Sequence, residues 1–138
     1  MRPLKLRIQA FGSYVDEQVL DFETALADAP FLLIHGVTGS GKTTILDAIV
    51  FALYGESSGD IREAAMLRSS TAPADLATEV EYVFALGRRR YRVLRSPAYS
   101  RISRGKMTRR AATGQLFRLP DVGETGEEKD EPSPERPC

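Results

Sequence analysis

Residues 31–55 read FLLIHGVTGSGKTTILDAIVFALYG. Phe31, Leu32, Leu33 and Ile34 form a continuous apolar run directly after Pro30, the pattern of a strand buried on both faces inside an α/β sheet. A glycine-rich segment follows at once. From Gly41 to Tyr54, Ile45, Leu46, Ala48, Ile49, Ala52 and Leu53 recur at helical spacing, and Gly55 stands where helices commonly stop. Strand, glycine-rich loop and helix are therefore expected in that order.

Gly36, Val37, Thr38, Gly39, Ser40, Gly41, Lys42 and Thr43 fit the spacing glycine, four residues, glycine, lysine, then serine or threonine, the Walker A pattern. The glycines permit backbone turns that other residues resist, and they remove the Cβ atoms that would keep a phosphate away from the N–H groups. The backbone from Gly36 through Thr38, Gly39, Ser40 and Gly41 is thus expected to form an anion nest. The helix that starts near Gly41 adds its unpaired amides and the positive end of its dipole at the same point. Lys42 is expected to reach the β- and γ-phosphates of ATP, the Thr43 hydroxyl to ligate Mg2+, and Thr44 to donate to the α-phosphate. With glycine at about 7% of average composition, a chance match in a chain of this size is rare, roughly one in a hundred. His35 precedes the loop with no acid or nucleophile beside it in sequence, so it reads as a packed structural residue.

Working outward, Leu4, Leu6, Ile8 and Ala10 alternate with Lys5, Arg7 and Gln9, the period of a half-buried strand. Gly12 and Ser13 mark a turn, and Val15 to Phe22 is expected to return as a second strand. Glu56 to Asp75 reads as a surface loop with one short helix around Arg62 to Leu67. Glu79 to Leu86 and Tyr91 to Arg95 are β-prone and are separated by Gly87 and three arginines, the pattern of another hairpin; Gln115 to Leu119 adds a strand. The expected fold is α/β: a P-loop lobe over residues 1–120, with antiparallel hairpins flanking the P-loop strand and helix. Residues 121–138 hold three prolines, many acids and almost no apolar side chain, so an acidic, disordered tail is expected.

The 138 residues suit one domain, and their formal net charge of zero carries no information about partners. The distribution does: Tyr82 to Pro120 contains eleven Lys or Arg and no Asp or Glu, whereas Asp121 to Cys138 holds seven acids against two bases. Cys138 is the only cysteine, which excludes an intrachain disulfide and a cysteine metal cluster. With no apolar stretch of spanning length, a cytoplasmic protein with no membrane partner is expected. The basic stretch, with Arg89, Arg90 and Arg92 as candidates, suits nucleic-acid phosphates; a solvated face, or pairing with the acidic tail, accounts for the same charges. Strand alternation places Arg90 and Arg92 on one face and Tyr91, Val93 and Arg95 on the other.

Three segments together, MRPLKLRIQAFGSYVDEQVLDF, GVTGSGKTTILDAIVFALYG and ATEVEYVFALGRRRYRVLRSPAY, resemble the N-terminus of the SbcC family, ATPase subunits of a double-strand-break nuclease acting in DNA repair and recombination. The resemblance spans roughly residues 1–100. It implies an ABC-type ATPase head related to the chromosome-maintenance ATPases, whose N- and C-terminal halves are separated by a long coiled coil. It further implies a second head as homodimer partner, an SbcD-type nuclease partner, DNA, and ATP with Mg2+ as cofactors. The family's phosphate loop falls on Gly36, Gly39, Gly41, Lys42, Thr43 and Thr44, with Lys42 and Thr43 serving catalysis. The sequence carries no glutamine loop, Cys-x-x-Cys hook, signature motif or acidic Walker B strand. Hydrolysis is therefore expected to need the C-terminal half. Gly12 stands where some relatives carry an arginine near the nucleotide, and no role transfers to it. The rival expectations are a small P-loop kinase and a non-catalytic nucleotide- or DNA-binding fragment.

Overall fold

Alternating side chains near the N-terminus build the first strand of the sheet that carries everything else. A computed structural model describes residues 1–56 and 64–121. Strand β1 (Arg2–Gln9) pairs antiparallel with β2 (Gln18–Asp21), with Leu6 opposite Leu20 and Ile8 opposite Gln18. Its other edge pairs with β3 (Glu79–Leu86), which forms a hairpin with β4 (Arg89–Ser96) through Gly87. Gly87 has φ +60°, a left-handed conformation that glycine adopts without a Cβ clash. The last strand of the sheet, β7 (Thr113–Leu119), pairs with β4, so the five-stranded order is β2-β1-β3-β4-β7, antiparallel throughout. Between β4 and β7 a separate two-stranded ribbon is formed by β5 (Tyr99–Ser103) and β6 (Lys106–Arg110).

Asp21 ends β2 and caps the short helix α1 (Phe22–Ala25), its carboxylate accepting from the Thr24 amide at 3.0 Å and from the Thr24 hydroxyl at 2.7 Å. These bonds, the backbone amide's first, hold the Asp21 carboxyl below its ordinary pKa. The cap is therefore in place at neutral pH and is lost as the pH falls through the carboxylate range. The second expected strand accordingly stops at Asp21, and Phe22 turns into the core instead. A 3-10 turn spans Ala64–Leu67, the end of the short helix expected from Arg62. Arg62 itself, and the tail expected from residue 122 onward, lie outside the described residues.

The helix α2 (Lys42–Tyr54) lies across one face of the sheet. Ile45, Ala48, Phe51 and Ala52 pack there against Leu6, Ile8, Val80, Tyr82, Phe84 and Val93, with Phe11 and Phe22 closing the ends. Phe51 and Phe11 meet with ring centroids 5.8 Å apart. The opposite face carries a smaller apolar group of Leu4, Val83 and Ala85, against which Leu119 packs. Leu4 departs from the simple alternation of β1. Pro3 pairs with Phe84 and Lys5 with Val83, so Leu4 is the extra residue of a bulge and turns to the far face from Leu6 and Ile8.

Two expectations are corrected. Phe31 to Ile34 form no strand, and Phe31 and Leu33 are 86% and 79% exposed. An apolar strand buried on both faces needs a neighbour at each edge. The described sheet ends at β2 and β7, and neither edge pairs with residues 31–34. The expected strand before the loop is therefore absent from the described sheet. His35, expected to be packed, is exposed on the same segment.

At its other end α2 closes on Gly55, in the left-handed conformation (φ +77°), whose amide donates to the Phe51 carbonyl. Arg95 Nε donates to the Ala52 carbonyl at 2.7 Å, placing a cation at the negative end of the helix. Arg95→Ala is expected to lower stability by about 1–2 kcal/mol, because the helix loses a charged donor there. Urea unfolding of the two proteins measures it.

Candidate nucleotide-binding site

The loop between Ile34 and α2 is shaped by three glycines and closed by one lysine. Gly39 has φ +84° and Gly41, at the N-cap of α2, has φ +92°, values that an L side chain adopts only with strain. A Cβ on Gly36 would lie 2.5 Å from Ser40 Oγ, so the two ends of the loop touch only because Gly36 has no side chain. The Ser40 amide donates back to the Val37 carbonyl at 3.1 Å. Lys42 Nζ folds into this curl and donates to the Gly36 carbonyl, to the Val37 carbonyl at 2.8 Å and, at 3.5 Å, to Ser40 Oγ. Thr43, the next residue, is exposed. The amides of the first turn of α2 lack partners within the helix, as in any helix, and sit beside the lysine ammonium.

These residues fit a phosphate chain with its divalent ion. The cradle has no Cβ where phosphate oxygens must approach, and nothing lies within 4 Å of the position a Gly39 Cβ would take. The Lys42 ammonium lies within the curl, and Thr43 is exposed beside it. Of the predicted loop residues, Gly36, Thr38, Gly39, Ser40, Gly41, Lys42 and Thr43 are adjacent in the curl or the first helical turn. Thr44 is placed differently: it is buried, and its Oγ1 is 3.1 Å from Ser13 Oγ.

Ser13, expected as part of a turn, and Tyr14, to which the sequence pattern gives no role, both brace the loop and the start of α2. Tyr14 Oη donates to the Ser40 carbonyl at 3.2 Å. A Cβ on Gly41 would lie 2.5 Å from Tyr14 Oη and 2.8 Å from Ser13 Oγ, and one on Gly12 would lie 2.4 Å from Thr44 Cγ2. The turn is itself pinned, with the Gly12 amide donating to the Leu67 carbonyl at 2.7 Å and the Ser69 amide to the Ala10 carbonyl at 2.9 Å. Gly12→Ala is expected to cost roughly 2–4 kcal/mol, combining a left-handed alanine at φ +55° with overlap against Thr44. Thermal unfolding beside the parent chain checks this.

Arg89, Arg90 and Arg92 lie together on β4 but in different surroundings. Arg89 is exposed near the β3–β4 turn. Arg90 pairs with Glu23 at 2.8 Å, and the Arg92 guanidinium lies 4.7 Å from the centroid of the Phe117 ring. The expected alternation is present: Val93 and Arg95 face α2, and Arg92 faces the other way.

Residues 5–128 match the family described as AAA domain. Among curated proteins, the chain is 48% identical over 97 residues to the SbcC subunit of the SbcCD nuclease from Vibrio cholerae serotype O1, an alignment covering 70% of this chain and 10% of that protein. It is 43% identical over 97 residues to the SbcC subunit from Lactococcus lactis, covering 70% of this chain and 9% of that one. With the Staphylococcus aureus SbcC subunit the identity is 37% over 121 residues, covering 88% of this chain and 12% of the relative. The chain belongs to the AAA domain family, and within it to the SbcC group, as an N-terminal segment. It spans about a tenth of the length of these relatives. Among the described residues no helix is long and apolar enough to cross a membrane.

Proposed function

We propose that this chain binds Mg2+-ATP as the N-terminal lobe, residues 1–120, of an SbcC-type ATPase head in the cytoplasm. The observation that carries this reading is the Gly36–Thr43 curl, with the Lys42 ammonium folded against its carbonyls and Thr43 exposed beside it. On ATP binding Lys42 exchanges loop carbonyls for β- and γ-phosphate oxygens, which are stronger partners because they are charged. The amides of the curl, from Gly36 through Thr38, Gly39, Ser40 and Gly41, and those of the first helical turn bind the remaining oxygens. Thr43 ligates Mg2+, and Thr44, braced by Ser13, serves the α-phosphate side.

Phosphoryl transfer to water needs a positioned nucleophile and further charge around the γ-phosphate. In this reading those groups come from the rest of the head, which also covers Phe31 to Ile34 and Leu46. Leu46 is 58% exposed on α2, and Phe31 is 86% exposed ahead of the loop. The head works with a second head and with an SbcD-type nuclease, and ATP-driven closure of the two heads regulates cleavage of DNA ends. Arg89, Arg90 and Arg92 are candidate contacts to the DNA.

Incubation of the chain with Mg2+-ATP, duplex DNA and a panel of small phosphate acceptors separates this reading from a small P-loop kinase. Binding with neither phosphate release nor phosphorylated acceptor is the expected result. Transfer to an acceptor would identify a small kinase instead.

A further inference from the structure

The basic charge of the second half is not spread evenly over the structure. On β4 three of the four cations already have uses within the chain: Arg90 pairs with Glu23, Arg92 covers Phe117 and Arg95 holds the end of α2. The β5–β6 ribbon is different. Arg104, Lys106, Arg109 and Arg110 are all exposed, and none is ion-paired to another described residue. No acid interrupts the sequence from Tyr82 to Pro120, whereas an ordinary solvated face mixes both signs.

The ribbon is anchored at its root and free at its tip. Tyr99 is buried, with the Arg68 guanidinium 4.5 Å from its ring centroid, and Arg68 is itself tied to the Leu76 carbonyl at 2.8 Å and the Thr78 hydroxyl at 2.6 Å. Arg101 Nη1 donates to the Ala74 carbonyl at 3.1 Å. At the tip, Arg104 and Gly105 both have positive φ, +53° and +74°, the geometry of a tight two-residue hairpin turn. One step back from the turn, Ile102 and Met107 sit opposite each other and are 64% and 71% exposed. A two-stranded hairpin with such a tip gains nothing in the isolated chain from presenting two large apolar side chains to water.

We propose that the β5–β6 ribbon is a DNA-contacting element that enters the major groove of a duplex. Its four exposed cations meet phosphates on the groove walls, and Ile102 and Met107 pack against the groove interior. This inference rests on the DNA part of the reading above and moves the principal contact from β4 to the ribbon. The B-form major groove, about 12 Å wide, admits a two-stranded β-ribbon, whereas the deep, narrow major groove of duplex RNA does not. That difference commits the ribbon to DNA.

The test is fluorescence anisotropy of a labelled 30-base-pair DNA duplex with the full chain across a salt series. It is run beside R104A/K106A/R109A/R110A, I102S/M107S and R2A/K5A, each checked by circular dichroism and by Mg2+-ATP titration. Removing four phosphate contacts is expected to lower the magnitude of the log K against log salt slope by about 3–4, at about 0.9 per contact, and to weaken binding more than tenfold. The apolar double variant is expected to weaken binding about tenfold with the salt slope unchanged, and R2A/K5A, which removes two exposed cations of β1, to bind nearly as the parent does. Parental binding by the fourfold variant would overturn the proposal, as would a matched RNA duplex bound as tightly as the DNA. A folded parent chain that binds Mg2+-ATP but no duplex would overturn it too, leaving the nucleotide reading standing.

Discussion

Lys42→Ala is expected to bind Mg2+-ATP at least about 100-fold more weakly than the parent chain while remaining folded. The side chain is half-buried, and among the described residues its hydrogen bonds stay within the loop, to the carbonyls of Gly36 and Val37 and the Ser40 hydroxyl. Removing it therefore takes little from the core. What it takes from the nucleotide is a cation shared by two phosphates, and charge-assisted bonds are worth about 1.5–3 kcal/mol each. Two such bonds exceed the 2.8 kcal/mol or so that separates a hundredfold change in affinity. Competition against a fluorescent ATP analogue measures the change, and circular dichroism shows whether the fold is kept. Lys42→Arg tests the same point: a guanidinium keeps the charge but is a wider fork than the curl around Gly36 accommodates, so it is expected to restore only part of the affinity.

The largest loss of stability is expected from Phe51→Ala. Phe51 is 2% exposed at the centre of the buried face of α2, against the sheet and against Phe11. Truncating a buried phenylalanine to alanine costs about 3–5 kcal/mol, a large part of the roughly 5–15 kcal/mol that holds an ordinary domain together. The consequence reaches the nucleotide site. Phe11 sits at the start of the turn whose Ser13 and Tyr14 brace Thr44 and Ser40, so a cavity beneath Phe11 loosens the support of the loop. Phe51→Leu, which fills more of the cavity, is expected to recover over half of the stability and most of the nucleotide affinity. Urea unfolding and nucleotide titration on the two variants separate the packing loss from the loss at the loop.

What the sequence made legible was local. The spacing from Gly36 to Thr43 is a short-range pattern, and the curl, the start of α2 at Lys42 and its stop at Gly55 follow it closely. Strands β1, β3 and β4 were legible from alternation and β-branched content. Two of the misses depend on residues distant in the chain. The bulge that turns Leu4 to the far face arises from the register against β3, about eighty residues away in sequence. Ser13 and Tyr14 reach Thr44 and Ser40 across 31 and 26 residues, so no local spacing could reveal them. Strands β5 and β6 hide in a polar, arginine-rich segment with weak alternation, where Arg104-Gly105 was the one turn signal.

The run at Phe31 failed for the opposite reason. Its apolar pattern describes an environment that the described residues do not supply, because both edges of the sheet lie elsewhere. That mismatch is itself informative, since the exposed side chains of Phe31 and Leu33 mark where the rest of a head is expected to pack.

The central claim is that the Gly36–Thr43 curl is a working phosphate site, and isothermal titration of the folded chain with Mg2+-ATP tests it most directly. The account predicts saturable binding at one site per chain, weakened when Mg2+ is withheld. A chain that is folded by circular dichroism and gives no binding heat at any temperature tried, with no displacement of a fluorescent analogue, would contradict it.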